Sequence, residues 1–371
     1  MLYSTTLWGV KLKNEIGMKY LIDNIDNNEY SRYVLAADIG GTNSTLGVFG
    51  INDKRIQLLF YKRYNSKNLI SVIPPVKEIL EYSHKIHNIE IKSACFGSAG
   101  VSLKKGKVKL TNLNWGIDVN EIINETNLSD AYIINDFQAI GYGINVLKHD
   151  APKDILNVRP LKNRDNEAKT KAIIGAGTGL GKSILFYDRC RETYVPLPSE
   201  GGHVDFPIRN EFEFELIKFI KEKKNLDGPI RYEDILSGQG IELIYLFLRN
   251  NNGTPATEYD NIIDKSEDKA PLISKYKDTD ETSKETFRVF TKFYGRCAKN
   301  FALDTLALGG LYIGGGIAAK NKEIFKTEEF INEFEDCFTQ REVLRSIPIY
   351  VIINYDVSLY GAAYYTIINS I

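Results

Sequence analysis

The sequence predicts an α/β protein with two similar halves. Three observations carry this: short apolar strands alternate with segments of helical spacing, two of those strands run straight into glycine turns, and each turn carries a threonine, Thr42 in the first and Thr178 in the second. Paired halves of this kind are expected to face one another across a ligand-binding cleft.

The elements follow in order. Residues 33–37 form a buried-strand run, Gly40 and Gly41 turn the chain, and residues 44–49 resume as a strand. Residues 71–87 have helical spacing and residues 92–96 are extended. Two more short apolar strands follow, residues 131–134 running into Asn135-Asp136 and residues 171–174 running into the glycine-rich stretch 175–181. Residues 1–30 form an N-terminal extension with Leu7, Val10, Ile16, Tyr20 and Leu21 at loosely helical spacing. Without a basic region followed by an apolar one they do not read as a signal peptide, and acidic Glu15, Asp23, Asp26 and Glu29 do not suit a transit peptide. An appended helix, packed on the body or on a second subunit in a homodimer, is expected. Residues 249–284 turn polar, with Asn250-Asn251-Asn252-Gly253 leading into mixed charge, and read as a surface excursion with some helix.

At 371 residues and 43% hydrophobic composition the chain can bury a sizeable core, and its length suits two domains. A formal net charge of −1 carries no basic nucleic-acid footprint, so a small-molecule partner is expected. Cys95, Cys190, Cys297 and Cys337 lie far apart, which suggests buried, reduced thiols rather than a zinc knuckle or a disulfide frame. Apolar runs such as residues 241–248 fall well short of the roughly 20 residues of a membrane span. A cytoplasmic protein is expected.

Several motifs carry chemistry. In Asp38-Ile39-Gly40-Gly41-Thr42-Asn43, two residues without Cβ let backbone N–H groups approach a phosphate chain, Thr42 and Asn43 add donors, and Asp38 suits Mg²⁺, directly or through water. Taken alone, Gly-Gly-Thr favours an ordinary hairpin turn. The second turn ends in Gly181-Lys182-Ser183 but is not a P-loop: that motif needs a glycine five positions before Gly181, where Ala176 stands. Residues 184–187 also continue as a strand where a P-loop would open a helix. Gly177, Thr178 and Gly179 therefore read as a second phosphate-binding hairpin, and Lys182 is not expected to be catalytic. A third cluster, Gly314, Gly315 and Gly316, ends a strand and matches the loose dinucleotide form only weakly. Asp336 lies in a helix-like run rather than a second strand, so a nucleotide-binding turn is the better reading.

Asp136 follows a buried strand, where α/β active sites collect. Its carboxylate can take the proton of a hydroxyl attacking a γ-phosphate, or it can cap the helix that begins near Phe137. In Ser199-Glu200-Gly201-Gly202-His203, the glycines argue against helix and for a tight turn presenting Glu200 and His203 to one side. Metal binding lacks a third ligand, since His84 and His87 read as a solvated helix face. Hydrogen bonding to vicinal hydroxyls suits the pair better, and a purely structural turn remains open. Glu233, in the segment 231–240 that opens an apolar helix running to Leu248, is either a hydroxyl acceptor or a first-turn carboxylate complementing the helix dipole.

In this order, Ile134-Asn135-Asp136-Phe137, the turn 175–181, Ser199 to Phe206 and Leu236-Ser237-Gly238-Gln239-Gly240 resemble the bacterial-type glucokinases of the hexokinase and actin-like ATPase superfamily, from about Tyr33 to the C-terminus. The resemblance implies two ribonuclease-H-like domains around a central cleft: a small one from residues 31–146 with 357–371, completed by a C-terminal helix, and a large one from 147–356. It implies glucose and ATP as substrates, Mg²⁺ as cofactor, Asp136 as the base, and Asn135, Asp136, Glu200, His203 and Glu233 around the hexose. Gly40, Gly41, Thr42, Gly177, Thr178 and Gly179 would cradle phosphates, with Gly314 to Gly316 near the adenosine. The chain departs from the family at its N-terminal extension and in residues 249–284, and it lacks the zinc-binding cysteine cluster of the related repressor and kinase branch. A kinase for glucosamine or mannose and a non-catalytic sugar sensor are the alternatives; both phosphate turns and Asp136 argue against the sensor.

Overall fold

The computed structural model of the chain describes residues 17–22, 25–53, 55–104, 106–110, 113–149, 151–160, 168–251 and 257–370. These fall into two compact units, one within Met1–Leu147 and Asp356–Ile371, the other within Lys148–Tyr355. The first unit runs β1 (Lys19–Tyr20), β2 (Arg32–Ile39), β3 (Asn43–Asn52), β4 (Arg55–Asn65), α1 (Ile73–His87), β5 (Ser93–Ser98), β6 (Gly100–Lys104), β7 (Lys107–Leu110), β8 (Gly116–Asp118), α2 (Val119–Glu125), β9 (Asp130–Asn135) and α3 (Asp136–Gly143). The second begins with β10 (Ile155–Arg159), β11 (Lys171–Ala176), β12 (Leu180–Asp188) and β13 (Thr193–Ser199). Helices α4 (Glu211–Lys224), α5 (Tyr232–Ile235), α6 (Gly238–Asn251), α7 (Glu258–Asp264), α8 (Ala270–Tyr276) and α9 (Glu281–Thr305) follow. Then come β14 (Leu311–Gly314), α10 (Gly316–Lys320), α11 (Glu328–Glu335), α12 (Arg341–Ser346) and β15 (Ile349–Ile352), after which the chain returns to the first unit as α13 (Val357–Asn369).

Among the described residues the first unit has a six-stranded sheet in the order β1-β4-β3-β2-β5-β9, the second one in the order β10-β15-β14-β11-β12-β13. In each, a leading strand (β2 or β11) pairs antiparallel with the strand after its glycine turn, while its other edge takes two strands in parallel. The two glycine turns of the sequence are thus the visible trace of a repeated topology. The parallel strands are buried on both faces and so read as continuous apolar runs, as at Leu35-Ala36-Ala37, Ala94-Cys95-Phe96 and Ala172-Ile173-Ile174. A smaller sheet, β6-β7-β8, completes the first unit. No described helix is long and apolar enough to cross a membrane.

Close contacts fix helices in both units. A Cβ on Gly361 would lie 1.7 Å from the carbonyl oxygen of Ala139, and one on Gly143 would lie 2.3 Å from that of Val357. Helices α3 and α13 therefore cross backbone against backbone, which anchors the helix whose first residue is Asp136. In the second unit Glu213 and Arg296, both almost fully buried, join the first turn of α4 to α9 through two 2.8 Å hydrogen bonds.

Several expectations are corrected. Leu7, Val10 and Ile16 lie outside the described residues, but Tyr20 is extended, not helical: β1 adds to the edge of β4, with Tyr20 opposite Phe60, because an open strand edge offers backbone partners that a short isolated helix lacks. His87 is no solvated face. Its ring packs on Tyr20, Phe60 and Tyr82, and Nε2 lies 2.8 Å from the Tyr20 hydroxyl. The stretch 249–284, apart from residues 252–256 outside the description, is mostly packed helix; Ile263 and Ile273 are fully buried, and the Tyr245 hydroxyl bonds the buried Asp260. Its charge pattern hid a one-sided apolar face. Cys190 is exposed, whereas Cys95 and Cys297 are buried.

Candidate active site

The parallel strands of the first unit end in register, with Ile39 opposite Ser98 and Ser98 opposite Asn135. This gathers Asp38, Ser98, Asn135 and Asp136 at the carboxyl ends of three strands, where open α/β sheets collect ligands. Asn135, not Asp136, caps α3. Its Oδ1 accepts from Phe137 N–H at 2.8 Å and Gln138 N–H at 3.4 Å, and Gln138 Oε1 accepts from Asn135 N–H at 3.2 Å, a complete capping box. Asp136 is the first helical residue, its Oδ1 2.9 Å from the N–H of Phe137, where the helix dipole favours a carboxylate. The capping alternative for Asp136 is thereby corrected: Asn reaches the N-cap position first.

Asp38 does not stand alone. Its Oδ2 accepts from the Ser358 hydroxyl at 2.7 Å. Burial raises its pKa, the Ser358 bond opposes that rise, the charges of Asp136 and Asp356 add to it, and Arg63 lowers it. Asp356 is raised as well, by burial, against Arg63. It occupies the N-cap of α13 yet makes no capping bond. Sequence reasoning missed Asp356, Ser358 and Arg63; an Asp two places before a Ser at the head of an apolar helix reads as an ordinary cap.

The first glycine turn joins β2 to β3. Gly40 N–H donates to the Asn43 carbonyl at 2.9 Å, while Ser66 ties the turn down through its hydroxyl to the Gly40 carbonyl at 2.7 Å and its N–H to the Thr42 carbonyl at 2.9 Å. Thr42 and Asn43 are left exposed at the tip.

In the second unit the turn of Gly177, Thr178 and Gly179 is closed by a 2.8 Å bond from Gly177 N–H to the Gly179 carbonyl, and Thr178 is exposed. Strand β12 follows directly, and Lys182 is buried with Nζ over the rings of Tyr232 and Phe301, so neither a P-loop helix nor a phosphate-reaching lysine is present at this turn. Beside it lies the third cluster, because Gly175 pairs with Gly314. Gly315 has φ of +89°, and a Cβ there would lie 2.6 Å from the Ala176 carbonyl oxygen.

Glu233 is anchored to the second turn. Its Oε2 accepts from Leu180 N–H at 3.1 Å, and a Cβ on Gly179 would lie 2.5 Å from that oxygen. The segment expected as one helix is two, α5 and α6, broken at Leu236. Gly238 N–H donates to the Gly177 carbonyl at 2.9 Å, so the break folds the chain onto the glycine turn. The turn Gly201–His203 is a single 3₁₀ turn, seated where a Cβ on Gly202 would lie 2.0 Å from the Leu180 carbonyl oxygen. It sets His203 between two carboxylates, Nε2 at 3.6 Å from Glu200 and Nδ1 at 3.8 Å from Glu233. Glu200, His203 and Glu233 thus converge beside Gly177 to Gly179.

Arg231, singled out by no motif, decides the imidazole's role. Its Nη1 lies 2.9 Å from His203 Nδ1. A guanidinium only donates, so Nδ1 accepts and the neutral ring carries its proton on Nε2, facing Glu200. Asp234, fully buried, grips Arg231 through two 2.9 Å bonds and also pairs with Lys224. Burial alone would raise the Asp234 pKa, but the bonds from Arg231 and Lys224 hold it well below the usual carboxylate range.

The family model described as glucokinase matches residues 35–367. The chain belongs to the glucokinase family. A glucokinase of Nostoc punctiforme is 35% identical over 345 residues, which cover 89% of this chain and 97% of that one. Among solved structures, a glucokinase from an Antarctic psychrotroph superposes with a TM-score of 0.75 at 25% identity, over 91% of this chain and 99% of that chain. The glucokinase of Balamuthia mandrillaris in complex with glucose has a TM-score of 0.76 at 20% identity, covering 98% and 97%. For this glucokinase-family chain the α/β fold predicted from the sequence agrees with those of its solved neighbours.

Proposed function

We propose that this chain is an ATP-dependent glucose kinase, transferring the γ-phosphoryl of ATP to the 6-hydroxyl of glucose to give glucose 6-phosphate and ADP. The observation that carries the reading is Asp136 at the first position of α3, relieved of capping by Asn135, in a chain whose glucokinase match spans residues 35–367.

In this reading Asp136 takes the proton of the 6-hydroxyl as it attacks in line. Asn135, Glu200, His203 and Glu233 hold the sugar: the carboxylates accept from hydroxyls and His203 donates from Nε2, the tautomer that Arg231 supports. The turn of Gly40, Gly41, Thr42 and Asn43 and that of Gly177, Thr178 and Gly179 take the phosphates, and Gly314 to Gly316 lies toward the adenosine. Asp38 suits Mg²⁺ bound largely through water, since Mg²⁺ keeps several waters and takes one or two carboxylates plus substrate phosphates. The ion would offset phosphate charge; Ser358 holds the Asp38 carboxylate ready for it. A cytoplasmic location, where ATP is at hand, completes the proposal.

A hexose panel tests it. ADP release, followed in a coupled assay with glucose, glucosamine, mannose and no sugar, is expected to be fastest with glucose. Faster turnover of another hexose reassigns the substrate, and no sugar-dependent ADP release sinks the kinase reading.

A further inference from the structure

Ser98 ends β5 opposite Asn135 of β9 and is only 2% exposed, yet its hydroxyl finds no hydrogen-bond partner among the described residues. Buried hydroxyls are normally paired, so one left without a partner points to an occupant. Ser98 lines a cavity of about 220 Å³ together with Asn135, Gln138, Lys107 and the apolar side chains of Val108 and Ile133. The acceptor oxygens of Asn135 and Gln138 are engaged in the capping box, which leaves their amide groups as donors. Lys107 is paired with Asp118 at 2.5 Å. The cavity therefore offers neutral donors, one adaptable hydroxyl and an apolar wall, the chemistry of a polyhydroxylated neutral ligand rather than of an anion.

We propose that Ser98 is a specificity-determining residue that hydrogen-bonds the 4-hydroxyl of the acceptor sugar. The inference rests on the glucose-kinase reading, which puts the 6-hydroxyl at Asp136. Asp136 directly follows Asn135, and neighbouring strands lie roughly 4.8 Å apart, so Ser98 stands within a sugar-ring's reach of that hydroxyl. The ring hydroxyl nearest C6 is the one on C4; those on C1 and C2 lie at the far end of the ring.

The test is Ser98→Ala, with glucose and 4-deoxyglucose as substrates and thermal melts with and without glucose. Loss of one hydrogen bond should raise the KM for glucose by about tenfold while the KM for 4-deoxyglucose stays within about twofold. Without sugar the variant should melt no lower than the wild type, because the hydroxyl removed has no partner among the described residues, whereas the Tm rise produced by glucose should shrink. An unchanged KM for glucose, an equal rise for both sugars, or a Tm several degrees lower without sugar each overturns the assignment. The two readings separate cleanly. If the wild type turns over glucose and Ser98→Ala matches it, only the Ser98 inference fails. If glucose raises the wild-type Tm without turnover, the kinase reading fails and the Ser98 contact is still read from the loss of that rise. If glucose does neither, both fail.

Discussion

Arg231 donates from Nη1 to Nδ1 of His203 at 2.9 Å, and the donor-only chemistry of a guanidinium fixes which imidazole nitrogen carries the proton. Lysine retains the charge but not the planar fork that meets Asp234 and His203 together. Arg231→Lys should raise the KM for glucose by about tenfold with kcat changed only a few fold. Initial-rate kinetics check this, and a wild-type KM would remove Arg231 from sugar positioning.

Asp136→Asn should lower kcat by roughly 10²–10⁴, the usual contribution of a positioned general base. The Asn135 and Gln138 capping box is untouched by the change, so thermal stability should stay close to wild type and glucose binding should remain measurable. Activity within a few fold of wild type, in a folded variant, would take the base assignment away from Asp136.

Asp38 has its pKa raised, by burial first and then by the charges of Asp136 and Asp356, against the Ser358 bond and Arg63. The sign follows. A carboxylate whose folded pKa lies above its unfolded one contributes stability that is fully present at pH below the unfolded value, about 4, and is lost as pH rises through the folded value. Asp38→Asn, which can still accept from Ser358, should therefore melt higher than wild type at pH 7 to 8. The advantage should fade as pH falls to about 4, while activity drops at every pH. Melting curves across this range decide the matter; a constant difference in Tm would contradict the assignment.

Glu213→Ala would leave the buried Arg296 guanidinium without its two short carboxylate bonds, with only the longer 3.4 Å carboxylate contact to Glu333. Breaking one partner of a buried pair costs about 3–5 kcal/mol. The midpoint of urea unfolding, followed by a probe in α9, should fall clearly. A shift no larger than that of an exposed pair, such as Lys85 with Glu81, would show that Glu333 alone suffices to hold Arg296.

Much of the architecture was legible in the sequence because its determinants are local. Doubly buried parallel strands write continuous apolar runs, as at residues 34–37 and 172–174, and glycines mark the turns that follow. The same logic misread Tyr20, whose strand state depends on a β4 edge some forty residues away, and His87, whose ring is enclosed by Tyr20, Phe60 and Tyr82. It also joined α5 to α6, because local apolar periodicity does not register the bond that folds Gly238 onto Gly177.

By itself the sequence determined the α/β class, the two glycine turns and the residue types able to handle phosphates and hydroxyls, since short-range backbone preference and side-chain chemistry are written residue by residue. Only the tertiary structure decided how those residues are held. Asn135 rather than Asp136 caps α3, Ser358 reaches Asp38 across 320 positions of chain, Arg231 sets the tautomer of His203, and the Ser98 hydroxyl is left without a partner among the described residues. Each of these depends on strand register and helix crossing, which bring distant positions within hydrogen-bond distance.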